Sequence, residues 1–140
     1  MIIGIDPGLR CTGVAAFDGN EWAVLSIRPK AHDLVGRIVE ICARLANRGP
    51  WDLAVIERPQ VYRQGLMKGD PNDLVDLAVL VGALTVTLNA KRTLLPRPAQ
   101  WKGQVPKEIH HDRIRKQVPG VEGSKDALDA VGLALWGSHA

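Results

Sequence analysis

A chain of 140 residues is enough for one domain, residues 1–140, that buries about two-thirds of its unfolded surface. With 46% hydrophobic and 24% charged residues it is not a disordered chain, and a net charge of +3 indicates no particular partner. The two cysteines form no CxxC pair and no apolar run reaches membrane length, which excludes a zinc ribbon, a disulfide scaffold and a membrane-spanning protein.

Three short apolar runs at the start of the chain predict an antiparallel meander. The runs are Ile2–Asp6, Cys11–Phe17 and Trp22–Ile27, and they are separated by the turn signals Pro7-Gly8 and Asp18-Gly19-Asn20. Turns this short leave room only for neighbouring antiparallel strands.

The hydrophobic period then changes from that of a strand to that of a helix. Apolar residues recur every three or four positions from Leu34 to Leu45, with Asp33 as the expected N-cap and Asn47–Pro50 as the stop. Leu53–Glu57 follows as a short buried strand. A strand, a helix and a further strand predict a right-handed crossover, which sets this fourth strand parallel to the first.

A second helix is predicted at Asp73–Asn89, after an aperiodic loop over Gln60–Asn72. This helix is apolar nearly all round, and a small domain cannot easily cover every face of it. We therefore expect one side to pack on the sheet and the other on a partner, while a fully buried core helix is the alternative.

The rest of the chain adds one strand and closes with a helix. Arg92–Leu95 reads as a fifth strand, His110–Gln117 as a short helix, and Lys125 to about Gly137 as a last helix capped by Ser124. Without the short helix His110–Gln117, the order βββαβαβα predicts a single α/β domain with a mixed sheet that combines an antiparallel meander and parallel strands.

Four carboxylates stand out by their positions. Asp6 and Glu57 end two strands that we expect to be parallel neighbours, so their side chains should lie side by side, while Asp126 and Asp129 share one face of the last helix. Clustered carboxylates repel one another unless cations neutralise them, and they suit hard cations such as Mg²⁺. Two such ions about 3.5–4 Å apart are a known device for phosphodiester cleavage.

Each of these acids also has a simpler interpretation. Asp6 precedes Pro-Gly as turn residues often do, and Glu57 could pair with Arg58. Asp126 and Asp129 could be acids placed favourably at a helix N-terminus. The four acids together, on elements that can converge, favour a metal site over these separate explanations.

The sequence resembles the RuvC-type Holliday-junction resolvases in three motifs that occur in the family's order. Ile3-Gly4-Ile5-Asp6-Pro7-Gly8 followed by Thr12-Gly13-Val14-Ala15 is similar to their first strand and hairpin. Val55-Ile56-Glu57 is similar to their second acidic strand, and Lys125-Asp126-Ala127-Leu128-Asp129-Ala130 to their closing helix. The short chain looks more like a phage-borne member than a chromosomal one.

The resemblance implies an RNase H-like fold, in which helices flank a five-stranded mixed sheet, and a homodimeric, Mg²⁺- or Mn²⁺-dependent endonuclease of DNA recombination and repair. It would nick two strands of a four-way junction and leave 5′-phosphate and 3′-hydroxyl ends. Two ions per site would be held by Asp6, Glu57, Asp126 and Asp129, and the helix Asp73–Asn89 falls at the family's dimer contact. No secretory signal is visible, so we expect a cytoplasmic protein, in the host cytoplasm if it is phage-borne.

The net charge conceals two unequal parts of the chain. Lys91–Lys116 holds eight basic and two acidic residues, a charge of +6, which leaves −3 for the remainder with its four candidate metal ligands. Basic side chains position DNA through its phosphates and make binding dependent on salt. The residues that we predict to contact DNA are Arg58, Tyr62, Arg63, Lys68, Lys102, Lys107, Arg113, Arg115 and Lys116.

Several further side chains receive an expectation from the sequence alone. Tyr62 or Trp101 could stack on an unpaired base, with packing as the alternative for Trp101. We expect His110 and His111 to be surface bases, and both cysteines to be small core residues.

Two other functions stay open at this point. A branched-DNA-binding module with weak or lost nuclease activity would have the same charge distribution, although all four acids are present. A phosphate-handling ATPase of the actin or sugar-kinase type opens with a similar acid-glycine-threonine hairpin, but its two lobes need a much longer chain.

Overall fold

The computed structural model describes residues 1–63 and 69–140 and contains five strands and five helices in this part of the chain. The strands are β1 (Ile2–Asp6), β2 (Thr12–Phe17), β3 (Trp22–Ile27), β4 (Leu53–Ile56) and β5 (Arg92–Leu94). The helices are α1 (Leu34–Leu45), α2 (Pro71–Leu88), α3 (Pro98–Trp101), α4 (Lys107–Gln117) and α5 (Lys125–Ser138).

The strands form one mixed sheet in the order β3-β2-β1-β4-β5. β1 and β2 pair antiparallel, as do β2 and β3, whereas β4 pairs parallel with β1 on one side and with β5 on the other. The predicted meander and the predicted parallel pairing of the first and fourth strands are therefore confirmed. The parallel pairing follows from the α1 crossover, which returns the chain to the starting edge of β1.

Side chains along the strands alternate between the two faces of the sheet. Ile3 and Ile5 of β1 pack in one core cluster with Ile41 of α1 and Leu84 of α2. The residues between them face α5, and the fully buried Val55 of β4 lies in a second cluster on that side. The domain is thus a sheet with α1 and α2 on one face and α5 on the other.

The helix caps expected from the sequence are present. The backbone N–H of Gly36 donates to the Asp33 carboxylate at 2.9 Å, and that of Ala127 donates to the Ser124 hydroxyl at 3.2 Å. α2 begins at Pro71, two residues earlier than expected, because Asp70 caps it and proline suits a first helical turn.

The predicted order of elements was incomplete between β5 and α5. The four-residue α3 was missed because it is too short to show a hydrophobic period, and α4 begins at Lys107 instead of His110. β2 starts one residue later and β5 ends one residue earlier than expected. α3 and α4 both pack toward α5, and α4 carries four of the eight basic residues of Lys91–Lys116 to that side of the sheet.

α2 keeps an exposed apolar face. Leu80 and Leu84 are buried, whereas Val75, Val79 and Val86 are 61%, 50% and 79% exposed. The alternative of a fully buried core helix is therefore wrong. Among the residues that the structure describes, α2 is also the one helix long and apolar enough to cross a membrane, but helices covered by protein meet the same criterion.

Candidate active site

The pairing of β1 with β4 brings the first two predicted acids together. Ile5 lies opposite Ile56 in the parallel register, and the backbone N–H of Glu57 donates to the carbonyl oxygen of Ile5 at 3.1 Å. Glu57 therefore continues the ladder one residue beyond β4 and lies beside Asp6. Alternation along both strands turns these two side chains toward the face that α5 covers.

Two glycines allow α5 to approach the sheet closely enough to add the other two acids. A Cβ on Gly4 of β1 would lie 2.1 Å from the carbonyl oxygen of Ala130, and one on Gly13 of β2 would lie 2.0 Å from that of Asp126. The backbone of α5 thus rests on the backbones of β1 and β2. This contact carries Asp126 and Asp129 to the end of β1 where Asp6 lies.

The pKa of Asp6 reflects the closeness of the other three acids. Burial, followed by the negative charges of Glu57, Asp129 and Asp126, raises the pKa of Asp6 from 3.8 to about 8, against a smaller opposing effect of Lys102. Carboxylates influence one another this strongly only over short distances. The structure therefore brings the predicted acids together, while their role as metal ligands stays a prediction.

Glu57 is held by two residues from the segment after β5. The indole Nε1 of Trp101 donates to Oε2 of Glu57 at 2.5 Å, and Nζ of Lys102 lies 3.4 Å from the same oxygen. Trp101 is only 9% exposed, with Lys102 over its ring and the His110 ring packed against it in a T-shaped pair. Trp101 is therefore a packing residue, and the prediction that it could stack on a DNA base is wrong.

Asp129 is the most deeply buried of the acids, with 2% of its surface exposed. Its Oδ1 lies 2.8 Å from Nε2 of His111, and its Oδ2 lies 3.5 Å from Nζ of Lys107. Nε2 of His110 is 3.9 Å from Oδ1, and burial lowers the pKa of His110 although the charge of Asp129 opposes this.

The expectation that His110 and His111 are surface bases is wrong. His111 is 4% exposed because α4 packs on α5 and turns His111 and Ile114 inward. The spacing of these two residues, three positions apart on one helix, is the signal that could have indicated a buried face. His111 and Trp101 contact the acids through hydrogen bonds that the sequence did not predict.

The chemistry of this cluster fits divalent cations. Its donors are carboxylate oxygens, which hard cations such as Mg²⁺ prefer. Without an ion the negative charge is offset by Lys102 and Lys107 and by the raised pKa of Asp6. Within residues 1–63 and 69–140 no three His, Cys, Asp or Glu side chains form a group that would hold a metal ion as they stand.

The residues predicted to contact DNA fall into three groups. Lys102 and Lys107 lie beside the acids, with their ammonium groups next to the carboxylates of Glu57 and Asp129. Arg58, Tyr62 and Arg63 are exposed on the segment that leaves β4, and Lys68 lies outside the described residues. Arg113, Arg115 and Lys116 are exposed on α4, where Arg115 pairs with Asp112 at 3.2 Å.

The two cysteines differ in their surroundings. Cys42 packs against the core cluster beneath α1, as expected of a small core residue. Cys11 is half-buried at the rim of the site, where burial and the neighbouring Asp126 raise the pKa of its thiol. The expectation of a core residue is therefore wrong for Cys11.

The chain is similar along nearly its whole length to curated proteins described as crossover junction endodeoxyribonuclease RuvC. It is 30% identical to the protein of Paracoccus denitrificans over 151 residues, which cover 99% of this chain and 91% of the relative. It is 31% identical to that of Paracidovorax citrulli over 161 residues, which cover 99% and 84%. No family model matches the sequence.

Solved structures of resolvases share the fold. Thermus thermophilus RuvC in complex with Holliday junction substrate superposes with a TM-score of 0.72 at 19% identity, over 96% of this chain and 90% of the other. The Fowlpox virus resolvase with its junction DNA gives 0.59 at 14% identity, over the full length of both. The predicted RNase H-like fold is confirmed by this likeness.

Proposed function

Because the chain belongs to the family of RuvC crossover junction endodeoxyribonucleases, we propose that it is a metal-dependent endonuclease that cuts four-way (Holliday) or otherwise branched DNA junctions. The observation that carries this proposal is the convergence of four carboxylates around Asp6, whose pKa they and burial raise to about 8. A cluster of acids at such electrostatic cost is expected where cations are to be bound.

In this proposal Asp6, Glu57, Asp126 and Asp129 hold two Mg²⁺ or Mn²⁺ ions. Bound ions supply a water nucleophile at neutral pH and offset charge on the phosphate and on the leaving oxygen. The products carry 5′-phosphate and 3′-hydroxyl ends.

The chain's own side chains have separate tasks. Lys102 and Lys107 offset the acids in the ion-free protein, at 3.4 and 3.5 Å from Glu57 and Asp129. Since they lie beside the proposed metal ligands, they are the lysines that we expect to contact the scissile phosphate. The exposed bases on α4 and after β4 hold the more distant phosphates.

We further propose that residues 1–140 form one domain in the cytoplasm and that two copies pair through α2. One chain supplies one set of acids, so symmetric cuts in two strands need two copies. Val75, Val79 and Val86 line the exposed face of α2, which is suited to a second copy.

The dimer proposal is tested with one charged residue on α2. Val79→Asp should convert the protein to monomers in analytical ultracentrifugation, because an aspartate would be desolvated in the interface. Ile109→Asp, at a similarly exposed apolar residue of α4, is the control and should leave the dimer intact. A wild-type protein that is monomeric at all concentrations would contradict the proposal.

The nuclease proposal is tested with synthetic four-way junctions, forks and linear duplex in Mg²⁺ and in Mn²⁺. Asp6→Asn and Glu57→Gln should lower junction cleavage about a thousandfold, since several kcal/mol of charge stabilisation correspond to that factor. Junction binding in Ca²⁺ should stay within a few-fold of wild type. Asp18→Asn, in an exposed turn, is the matched control and should cut normally.

The same assay separates the alternative function from this one. A wild-type protein that binds junctions tightly and nicks none of them in either metal would be a branched-DNA-binding module. Full cleavage by Asp6→Asn would contradict the proposal that Asp6 belongs to the active site.

A further inference from the structure

The carboxylate of Glu57 is held from one side only. Its Oε2 accepts the indole N–H of Trp101 at 2.5 Å and also lies 3.4 Å from Nζ of Lys102. Its Oε1 accepts no hydrogen bond from the residues that the structure describes. One oxygen is therefore fixed by the protein, while the other is available to a ligand.

The indole of Trp101 is itself rigidly seated. It packs with Leu53 and Val55 of the sheet and Leu133 of α5 and is 9% exposed. A Cβ on Gly132 of α5 would lie 2.7 Å from Cζ3 of the ring, so the ring fits only because this residue is glycine. The helix that carries Asp126 and Asp129 thus also fixes the donor to Glu57.

The two donors on Glu57 differ in their response to a cation. Lys102 carries a positive charge, so a divalent ion at Glu57 would repel it. The indole N–H is neutral, can only donate and does not titrate in the ordinary pH range, so its hydrogen bond can persist beside a bound ion. Donors of this kind orient ligand side chains, and losing one lowers metal affinity or activity about 10- to 100-fold.

We propose that Trp101 is a positioning residue for Glu57, one that holds its carboxylate with a single oxygen committed and the other free to bind a divalent cation. This inference rests on the proposed nuclease function, because it presumes that Glu57 is a metal ligand. It adds Trp101 to the proposed metal site as a residue that contacts neither the ion nor the DNA.

The test uses Trp101→Phe, which keeps an aromatic ring and removes the N–H. Mg²⁺ or Mn²⁺ is titrated into the DNA-free protein while the rise in Tm is followed, so the readout does not depend on cleavage. We expect the metal concentration for half-maximal stabilisation to rise about tenfold or more. The metal requirement of junction cleavage should rise by the same factor, with most of the rate regained at saturating metal.

Two further variants separate positioning from mere packing. Trp51→Phe, a buried tryptophan in the cluster on the opposite face of the sheet, is the matched control and should leave the metal titration unchanged. In a Glu57→Gln background, adding Trp101→Phe should change the titration no further. If Trp101→Phe does not fold, Gly132→Ala takes its place, because its methyl group displaces the indole without removing the donor.

The outcomes of these measurements distinguish the positioning role of Trp101 from the proposed nuclease function. In the first outcome, the wild type responds to metal and a folded Trp101→Phe has a titration midpoint within twofold of the wild-type midpoint. This outcome overturns the positioning role of Trp101 and leaves the nuclease proposal intact. An unchanged midpoint in Gly132→Ala does the same if that variant is the one used. A wild type that neither gains stability from metal nor cuts junctions overturns both proposals.

Discussion

Gly13 of β2 and Asp126 of α5 touch through their backbones, since a Cβ on Gly13 would lie 2.0 Å from the carbonyl oxygen of Asp126. Gly13→Ala therefore has to push the start of α5 off the sheet. We expect a loss of about 1–3 kcal/mol or more in the free energy of unfolding, as for other overpacked sites, measured in urea. Junction cleavage should fall as well, because Asp126 moves with the helix.

Gly82→Ala is the control for this prediction. Gly82 lies in α2 with no atom within 4 Å of an added Cβ, so the methyl group meets open space. Gly82 lies on the same exposed face of α2 as Val79 and Val86, three and four residues away, so the comparison is made in the Val79→Asp background, in which the proposed dimer is disrupted. There the stability of Gly82→Ala should equal or exceed that of its parent, because alanine favours helix by about 1 kcal/mol over glycine. A Gly13→Ala protein as stable and active as wild type would contradict the close approach of α5.

The raised pKa of Asp6 predicts a pH dependence of stability in metal-free buffer. The folded protein keeps a proton on Asp6 up to about pH 8, whereas the unfolded chain releases it near 3.8. Between these values the folded state binds more protons, so stability falls as pH rises, by up to about 1.4 kcal/mol per pH unit. Urea unfolding between pH 5 and 9 in EDTA measures this slope.

Asp6→Asn removes the group that titrates and should flatten this dependence. The variant should also be more stable than wild type at the alkaline end, because it no longer places a buried charge beside Glu57, Asp126 and Asp129. Equal slopes in wild type and variant would mean that another group controls the pH dependence.

The contact between His111 and Asp129 predicts a loss of stability when its donor is removed. His111→Phe leaves one oxygen of a buried carboxylate without its partner at 2.8 Å and should cost about 1–3 kcal/mol of unfolding free energy. His111→Gln keeps a donor and should cost less. His32→Phe, at an exposed histidine, is the control for urea unfolding and should change little.

The basic face of α4 predicts a specific effect of salt on junction binding. Arg113 is exposed there, and replacing a residue that contacts phosphate lowers the slope of log Kd against log salt by about one. Arg113→Met should show this reduction in fluorescence anisotropy titrations of a labelled junction. Arg44→Met, exposed on α1 on the other face of the sheet, should keep the wild-type slope.

The positions of the four acids could be predicted because each depends on a short stretch of sequence. Asp6 and Glu57 end buried strands, and a strand, a helix and a strand almost always make a right-handed parallel crossover. Asp126 and Asp129 share a helix face because they are three residues apart. Local patterns of this kind specify the element and the face, and here they also specified which elements meet.

The contacts between β5 and α5 could not be predicted in the same way. α3 is four residues long, and α4 is polar except for a narrow inward stripe, so neither shows a clear period. Lys102 and Lys107 are expected to contact DNA by their charge, and the structure adds that they lie on Glu57 and Asp129. That charge alone does not say which acid, if any, a lysine will pair with.

The sequence by itself determined the mixed sheet, the family resemblance and the four acids, because hydrophobic period, caps and turn residues act over a few neighbouring positions. Only the tertiary structure decided that Trp101 contacts Glu57, 44 residues away in the sequence. The same holds for His111 and Asp129, which are 18 residues apart. Such hydrogen bonds arise only after α3 and α4 have packed on α5. Their geometry depends on close approaches to the α5 backbone, such as that of the Trp101 ring to Gly132, which leave no periodic signal in the sequence.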